Sequence, residues 1–194
     1  MIQSKLDYKN YLKQDKVALR LKSLSLSAKF LYFFSPNFIW EFQKLLRKVE
    51  YYENCKNSKI AKIYYYYLRY KFKNLSLKLG FSIPPNVFGP GLAIVHYGTI
   101  VINSNAKVGS NCRMHACVNI GASSGEVEAP QLGDNIYIAP GVKIYGNIKI
   151  PNNTAIGANA VVNKSFDLEH MAIAGVPAKI IGEVDIKKVI KHIK

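Results

Sequence analysis

Acidic residues are scarce in this chain of 194 residues: 12 Asp and Glu face 27 Lys and Arg, leaving a formal net charge of +15. Cysteine is scarcer still, at three. Cys55, Cys112 and Cys117 are odd in number and lack metal-like spacing, which excludes a disulfide framework and points to free thiols in a reducing, cytoplasmic setting. Long apolar runs are missing as well. The most apolar stretch, FLYFFSPNFIWEF, is broken by Pro36 and falls well short of the roughly 20 residues that span a bilayer. No apolar run follows a basic start, so no signal peptide is expected. Glycine-rich phosphate loops of the nucleotide-binding kinds are absent, and no cluster of metal ligands is visible, so no metal is expected.

The acid deficit is not spread evenly. Residues 1–80 carry 17 Lys and Arg against 5 Asp and Glu, a net of +12, and residues 81–194 carry 10 against 7, a net of +3. A basic excess of this kind suits nucleic acid, an anionic membrane face, or nothing beyond a solvated lysine surface. No nucleic-acid recognition motif accompanies it, and no nucleic-acid partner is expected.

What is present is a period of six. Ile102, Val108, Met114 and Ile120, then Leu132, Ile138, Ile144, Ile150, Ile156 and Val162, place an aliphatic residue at every sixth position and stay in phase across a break. Four residues after most of them stand Ala106, Cys112, Val118, Ile136, Val142, Ile148, Thr154 and Ala160, mostly small or β-branched. Neither a helix nor an alternating strand has this period. It is the hexapeptide repeat, in which three short strands make one triangular coil and coils stack into a parallel β-helix. The aliphatic residue fills the coil, the smaller one lets the chain turn, and stacking buries a column no coil could bury alone. Cys112 falls on one of these small interior slots, whereas Cys117 is free to face outward.

Around this repeat the chain divides into three. Residues 1–80 read as helical: a loosely periodic segment near Leu6–Leu21, a second after Ser35-Pro36-Asn37 with Ile39, Phe42, Leu45, Leu46 and Val49 on one face, and a third after Asn57-Ser58 ending at Gly80. Ile83-Pro84-Pro85-Asn86 marks the boundary. Residues 81–182 form the repeat region, interrupted at ASSGEVEAPQ (122–131), a loop leaving the prism with Glu126 where an interior aliphatic would stand. Residues 183–194 are a short basic tail. The fold class expected is α+β, a parallel β-helix preceded by an N-terminal helical region.

The stretches IVHYGTIVIN, NAKVGSNCRMHACVNIG, GDNIYIAPGVKIYGNIKIPNNTAIGANAVVNKS and AGVPAKIIG resemble the hexapeptide-repeat acyltransferases, and within them the serine acetyltransferase-like branch, over about residues 81–182. The resemblance implies a left-handed β-helix, acetyl transfer from acetyl-CoA to a hydroxyl or amine, and a homotrimer with acetyl-CoA in the groove between two prisms. It puts the branch's central histidine on His96, as general base toward the acceptor hydroxyl. Counting back by sixes from Ile102 also lands on His96, an interior phase, so a buried histidine at an irregular first coil is the structural alternative. His115 follows an interior position and should point outward one coil along from Tyr97; both are candidate acceptor-binding residues.

The departures bear on the acceptor. The branch's aspartate before the histidine is Val95 here, a second histidine in an Arg-His-Pro loop motif falls on Ala129 with Glu128 in place of the arginine, and the carboxylate that orients the imidazole falls near Phe81. An amino-acid zwitterion needs an acid and a base to hold it. The expected acceptor is therefore a saccharide hydroxyl, as in the capsule and exopolysaccharide O-acetyltransferases, with serine or a non-catalytic scaffold role as alternatives. For the cofactor, Gly121, Ala139, Gly157 and Gly175 recur every 18 residues as a column of small side chains along which pantetheine could lie, with Ala158 beside it. By analogy with the family, Lys164 and Lys179 are placed to meet CoA phosphates.

Overall fold

The computed structural model describes residues 1–22, 25, 30 and 32–193. The part of the helical reading that falls on residues 23, 24, 26–29 and 31 lies outside them. Three long helices come first: α1 (Lys5–Ala18), capped by Ser4; α2 (Phe38–Cys55), capped by Asn37; and α3 (Lys59–Leu79), capped by Ser58. Each cap oxygen accepts a backbone N–H of the first turn, which would otherwise lack a partner. Gly80 ends α3 at φ 75°, a conformation that a side chain resists.

Strands of two or three residues then stack into three parallel ladders, with an antiparallel hairpin at the end. The first ladder holds β1 (Phe81–Ser82), β3 (Ile100–Ile102), β6 (Asn119–Gly121), β9 (Lys143–Tyr145) and β12 (Val161–Val162). The second holds β4 (Lys107–Val108), β7 (Gln131–Leu132) and β10 (Lys149–Ile150). The third holds β2 (Ala93–Ile94), β5 (Arg113–Met114), β8 (Tyr137–Ile138), β11 (Ala155–Ile156), β13 (Met171–Gly175) and β14 (Ala178–Glu183). This is the α+β, left-handed parallel β-helix of the expectation. All ten period-six aliphatics are buried, as are all eight residues that follow them by four.

Coil length varies, and the variation shapes the site. Gln131 pairs with Lys149, Tyr137 with Ala155 and Lys143 with Val161, so the regular coil is 18 residues. Across the loop, Lys107 pairs with Gln131, a step of 24: the insertion adds six residues that leave the prism between β6 and β7, and β7 rejoins its own ladder. At the first coil Ile94 pairs with Met114, a step of 20. Two extra residues therefore lie between Ile94 and Ile102, and His96 is among them.

One corner carries a ladder of left-handed residues, Asn111, Asn135, Asn153 and His170, at φ 57–60°. Asn tolerates this conformation better than most side chains. Asn111 Nδ2 donates to Asn135 Oδ1 and Asn135 Nδ2 to Asn153 Oδ1, both at 2.9 Å. The chain end returns to this corner. Ile186 and Ile190, in and after a short helix α4 (Ile186–Val189), are buried, and His192 Nε2 lies 3.3 Å from Asn111 Oδ1.

The helices dock on the first coil through a buried polar cluster. Arg47 is fully buried, and its Nε donates to Asp15 Oδ2 at 2.8 Å, Nη1 to Glu50 Oε2 at 3.0 Å and to the Phe88 carbonyl at 2.9 Å, and Nη2 to the Gly89 carbonyl at 2.7 Å. Asp15 Oδ1 accepts from the Gly91 and Leu92 N–H groups, and Glu50 Oε1 from that of Asn86. Burial works against the guanidinium charge, but the two carboxylates outweigh it and hold the Arg47 pKa above its ordinary value. Gln43 completes the junction by donating to the Leu92 carbonyl at 2.7 Å. Phe42, stacked on Phe72 and edge-on to Phe81, seals the apolar part.

Candidate active site

His96 leaves β2 two residues after Ile94, which takes the interior position. The histidine is exposed, so the buried alternative is excluded, and the reason is the two-residue excess of the first coil. The same excess corrects the place of His115. The backbone of the first coil runs 20 residues ahead here, so His115 does not stack on Tyr97. Its ring centroid lies 5.7 Å from that of His96 and 5.5 Å from that of Tyr137, which meets it edge-on. Tyr97 is 73% exposed.

The three rings form a short aromatic edge across successive coils. Arg113, two residues before His115 on β5, pairs in register with Tyr137. Half-burial, then the charges of Arg113 and His96, push the His115 pKa down, so its imidazole favours the neutral form. The ion pairs among the described residues are Lys44–Glu41, Arg47–Asp15, Arg47–Glu50 and Arg69–Glu53; none reaches His96. Ala129, at the position of the family's second histidine, is buried in the prism, while Glu128 is exposed on the loop.

The column of small residues is real but composed differently from the spacing. Gly121 lies on β6, on another face, in register with Tyr145, because the six-residue insertion falls between it and Ala139. The residue one coil above Ala139 is His115, whose N–H donates to the Ile138 carbonyl. Below Ala139 the column continues with Gly157, whose N–H donates to the Ile173 carbonyl, and then with Ala174, not Gly175, since that coil is one residue short. A Cβ on Gly157 would sit 2.8 Å from Ala174 Cβ, so no larger side chain fits. The neighbouring row on the same face, Ala155 and Ala172, is small too. The result is a step: Arg113, His115 and Tyr137 stand above a shelf of alanine and glycine.

Lys179 pairs with Ala174 across the β13–β14 hairpin and is exposed beside the foot of the shelf. Gly175, at φ 102°, turns that hairpin and pairs with Ala178. Ala158 is exposed immediately after Gly157. Lys164 follows β12 on a different ladder, with its Nζ 5.6 Å from the centre of the Phe166 ring. Arg113 and Tyr137 escaped the sequence reading; the register, which places them against His115, is the signal that finds them. Cys112 is buried, and burial alone pushes its thiol up to about 12, so it acts as an apolar core residue. Among the described residues no group of His, Cys, Asp and Glu is placed to hold a metal ion.

The fold has counterparts among known proteins. No family model matches the chain. A serine acetyltransferase from Staphylococcus aureus is 35% identical over 111 residues, covering 56% of this chain and 52% of the relative. One from Staphylococcus epidermidis is 37% identical over 105 residues, covering 53% and 49%. The chain thus spans about half the length of the relatives it matches in sequence. Among solved structures, serine acetyltransferase from Brucella abortus aligns with a TM-score of 0.72 at 26% identity, over 94% of this chain and 72% of that one. Its complex with coenzyme A aligns with the same score and identity, over 93% and 70%. The resemblance to hexapeptide-repeat acetyltransferases of the serine acetyltransferase-like branch holds in sequence and in fold.

Proposed function

We propose that this chain is an acetyl-CoA-dependent O-acetyltransferase in which His96 acts as general base. The observation that carries the reading is the step on one prism face: an exposed imidazole at its top edge, and below it a strip of the small residues Ala139, Gly157 and Ala174 against which an extended pantetheine arm can lie. A serine acetyltransferase of the same fold has been solved with coenzyme A, which supports acetyl-CoA as the donor. The acceptor O–H proton passes to the imidazole as the oxygen attacks the thioester carbonyl. Collapse of the tetrahedral intermediate releases the CoA sulfur, which takes that proton back from the imidazolium. A placed imidazole supplies about 10²–10⁴-fold of such a rate.

Ala139, Gly157, Ala158 and Lys179 are the cofactor-side residues of this reading, with Lys179 toward the phosphates; His115, with Arg113 beside it, faces the acceptor. Gly121 has no part in it. The relatives' names favour serine as the acceptor over the saccharide expected from residue losses alone. A saccharide hydroxyl stands second, on the observation that among the described residues no carboxylate is ion-paired to His96 and that Val95 adjoins it. His96 is open to solvent in the single chain, which suits a homotrimer whose neighbouring prism would cover the site. The basic helical half suits work near an anionic membrane face, where lipid-linked acceptors would be at hand.

The test is thiol release from acetyl-CoA with L-serine and with a panel of nucleotide sugars. Turnover with serine alone selects the first acceptor, turnover with a sugar alone selects the second, and no turnover with no CoA binding leaves a scaffold. His96→Gln should abolish transfer with the assembly intact; full activity in that variant would remove His96 from the role.

A further inference from the structure

Helix α3 has two apolar sides, and only one of them is used. Leu68, Phe72 and Leu79 are buried against α2 and the first coil. On the opposite side Ile60, Ile63, Tyr67, Tyr70 and Leu77, spaced by three, four, three and seven residues, form a second stripe that is 81, 72, 52, 66 and 71% exposed. A stripe of this size left to water is unusual for a soluble surface. The helix also carries six Lys and Arg (Lys59, Lys62, Arg69, Lys71, Lys73, Lys78) and no acidic residue. At helical spacing, Lys62, Lys73 and Arg69, the last paired to Glu53 at 3.9 Å, lie along one flank of the exposed stripe, and Lys71 and Lys78 along the other. The patch continues past the helix, since Phe38 shares a groove with Tyr67 and Lys71; Lys44 in the same groove is paired to Glu41 at 2.7 Å and adds no free charge.

A cationic rim around an aromatic and aliphatic centre discriminates between occupants. A second copy of the same helix would bring six positive charges against six with no acid on either side, an arrangement that like-charge repulsion opposes. A bilayer with anionic headgroups accepts both parts: the stripe enters the acyl boundary, tyrosines sit at headgroup level, and lysine stems reach outward to phosphates. No helix among the described residues is long and apolar enough to cross a membrane, so the contact would be in the plane of the surface. We infer that the exposed face of α3 is a docking surface for an anionic phospholipid bilayer. This deepens the membrane reading given above and rests on the surface of α3 and the start of α2, not on whether the prism transfers acetyl groups.

The experiment is flotation of the full chain with phosphatidylcholine vesicles and with vesicles in which phosphatidylglycerol replaces part of the phosphatidylcholine. The expected result is capture by the anionic vesicles only, strong at about 0.05 M salt and weak at about 0.5 M. Ile63→Glu with Tyr70→Glu should weaken capture about tenfold or more. Both positions are largely exposed, so unchanged helicity by circular dichroism separates this effect from misfolding. A second variant, Lys62→Gln with Lys73→Gln, should lower capture and flatten its salt dependence. No capture, equal capture by neutral vesicles, or wild-type capture by the double glutamate variant would overturn the proposal. So would an assembly that grows with concentration without vesicles and dissolves in that variant, which would identify a second copy as the occupant. Thiol release measured on the same samples reports on transfer separately.

Discussion

Replacing Arg47 by alanine tests how the helical layer supports the chemistry. The guanidinium is fully buried and is the cation that neutralises Asp15 and Glu50, both buried, while capping the carbonyls of Phe88 and Gly89. Its removal leaves two carboxylates facing each other without a counter-charge, a change that destabilises by about 3–5 kcal/mol. Typical folds of this kind hold about 5–15 kcal/mol in all. With a urea slope near 2 kcal/mol per molar, the unfolding midpoint should fall by about 1.5–2.5 M. The effect should reach the site, because Asp15 also holds the Gly91 and Leu92 N–H groups, and β2 and His96 follow directly. We therefore expect urea titration by circular dichroism to show the loss, and thiol-release assays at low urea to show a fall in kcat while helical signal is retained. Arg47→Met combined with Asp15→Asn and Glu50→Gln removes the charges together and should recover much of the stability. A single-variant loss below about 1 kcal/mol, or a triple variant as unstable as the single, would refute the charge argument.

Gly157→Val should push Ala174 and β13 off the shelf, lowering stability by about 1–3 kcal/mol and raising the KM for acetyl-CoA about tenfold with little change in kcat; steady-state kinetics and thermal melts decide. Asn135→Ala should destabilise by about 2 kcal/mol, through the lost ladder bonds and an alanine forced to φ 57°, whereas Asn135→Gly should lose less because only the bonds go; denaturant midpoints compare them. His115 and His192 are both held below their ordinary pKa, His115 by burial, Arg113 and His96, His192 by burial, Arg113 and Arg20. The unfolded chain therefore binds protons that the fold resists, so stability should be level above about pH 6.5 and fall as the pH drops below it. Melting temperatures across that range check the sign, and His115→Gln should shallow the slope.

The interior of the prism was readable because burial is strictly periodic there: Ile102 through Val162 obey one rule, and the physics that selects them acts on each residue alone. What could not be read were the places where the count changes. Two added residues before Ile102 turn His96 outward, and nothing in the composition of that coil announces them. The loop at 122–131 was legible from its lost pattern and Glu126, but its six added residues leave the aliphatic phase intact, which concealed that Gly121 lies on another face from Ala139. One missing residue near Phe166 substitutes Ala174 for Gly175. The Arg47 cluster lay out of reach for a different reason: Asp15, Arg47 and Glu50 stand on two helices, and each looks like an ordinary surface charge until the helices pack.

The step of 24 across the loop has an engineering consequence. The insertion leaves the prism as a loop between β6 and β7, so its length does not set which ladder the next strand joins. Excising six residues from 122–131 should leave Leu132 and every later side chain on its own face, and grafting in multiples of six should be equally silent. Lengths that are not multiples of six should be tolerated as well, because residues 124–128 are exposed outside the prism and Leu132 is held on its face by its pairing with Val108 and Ile150.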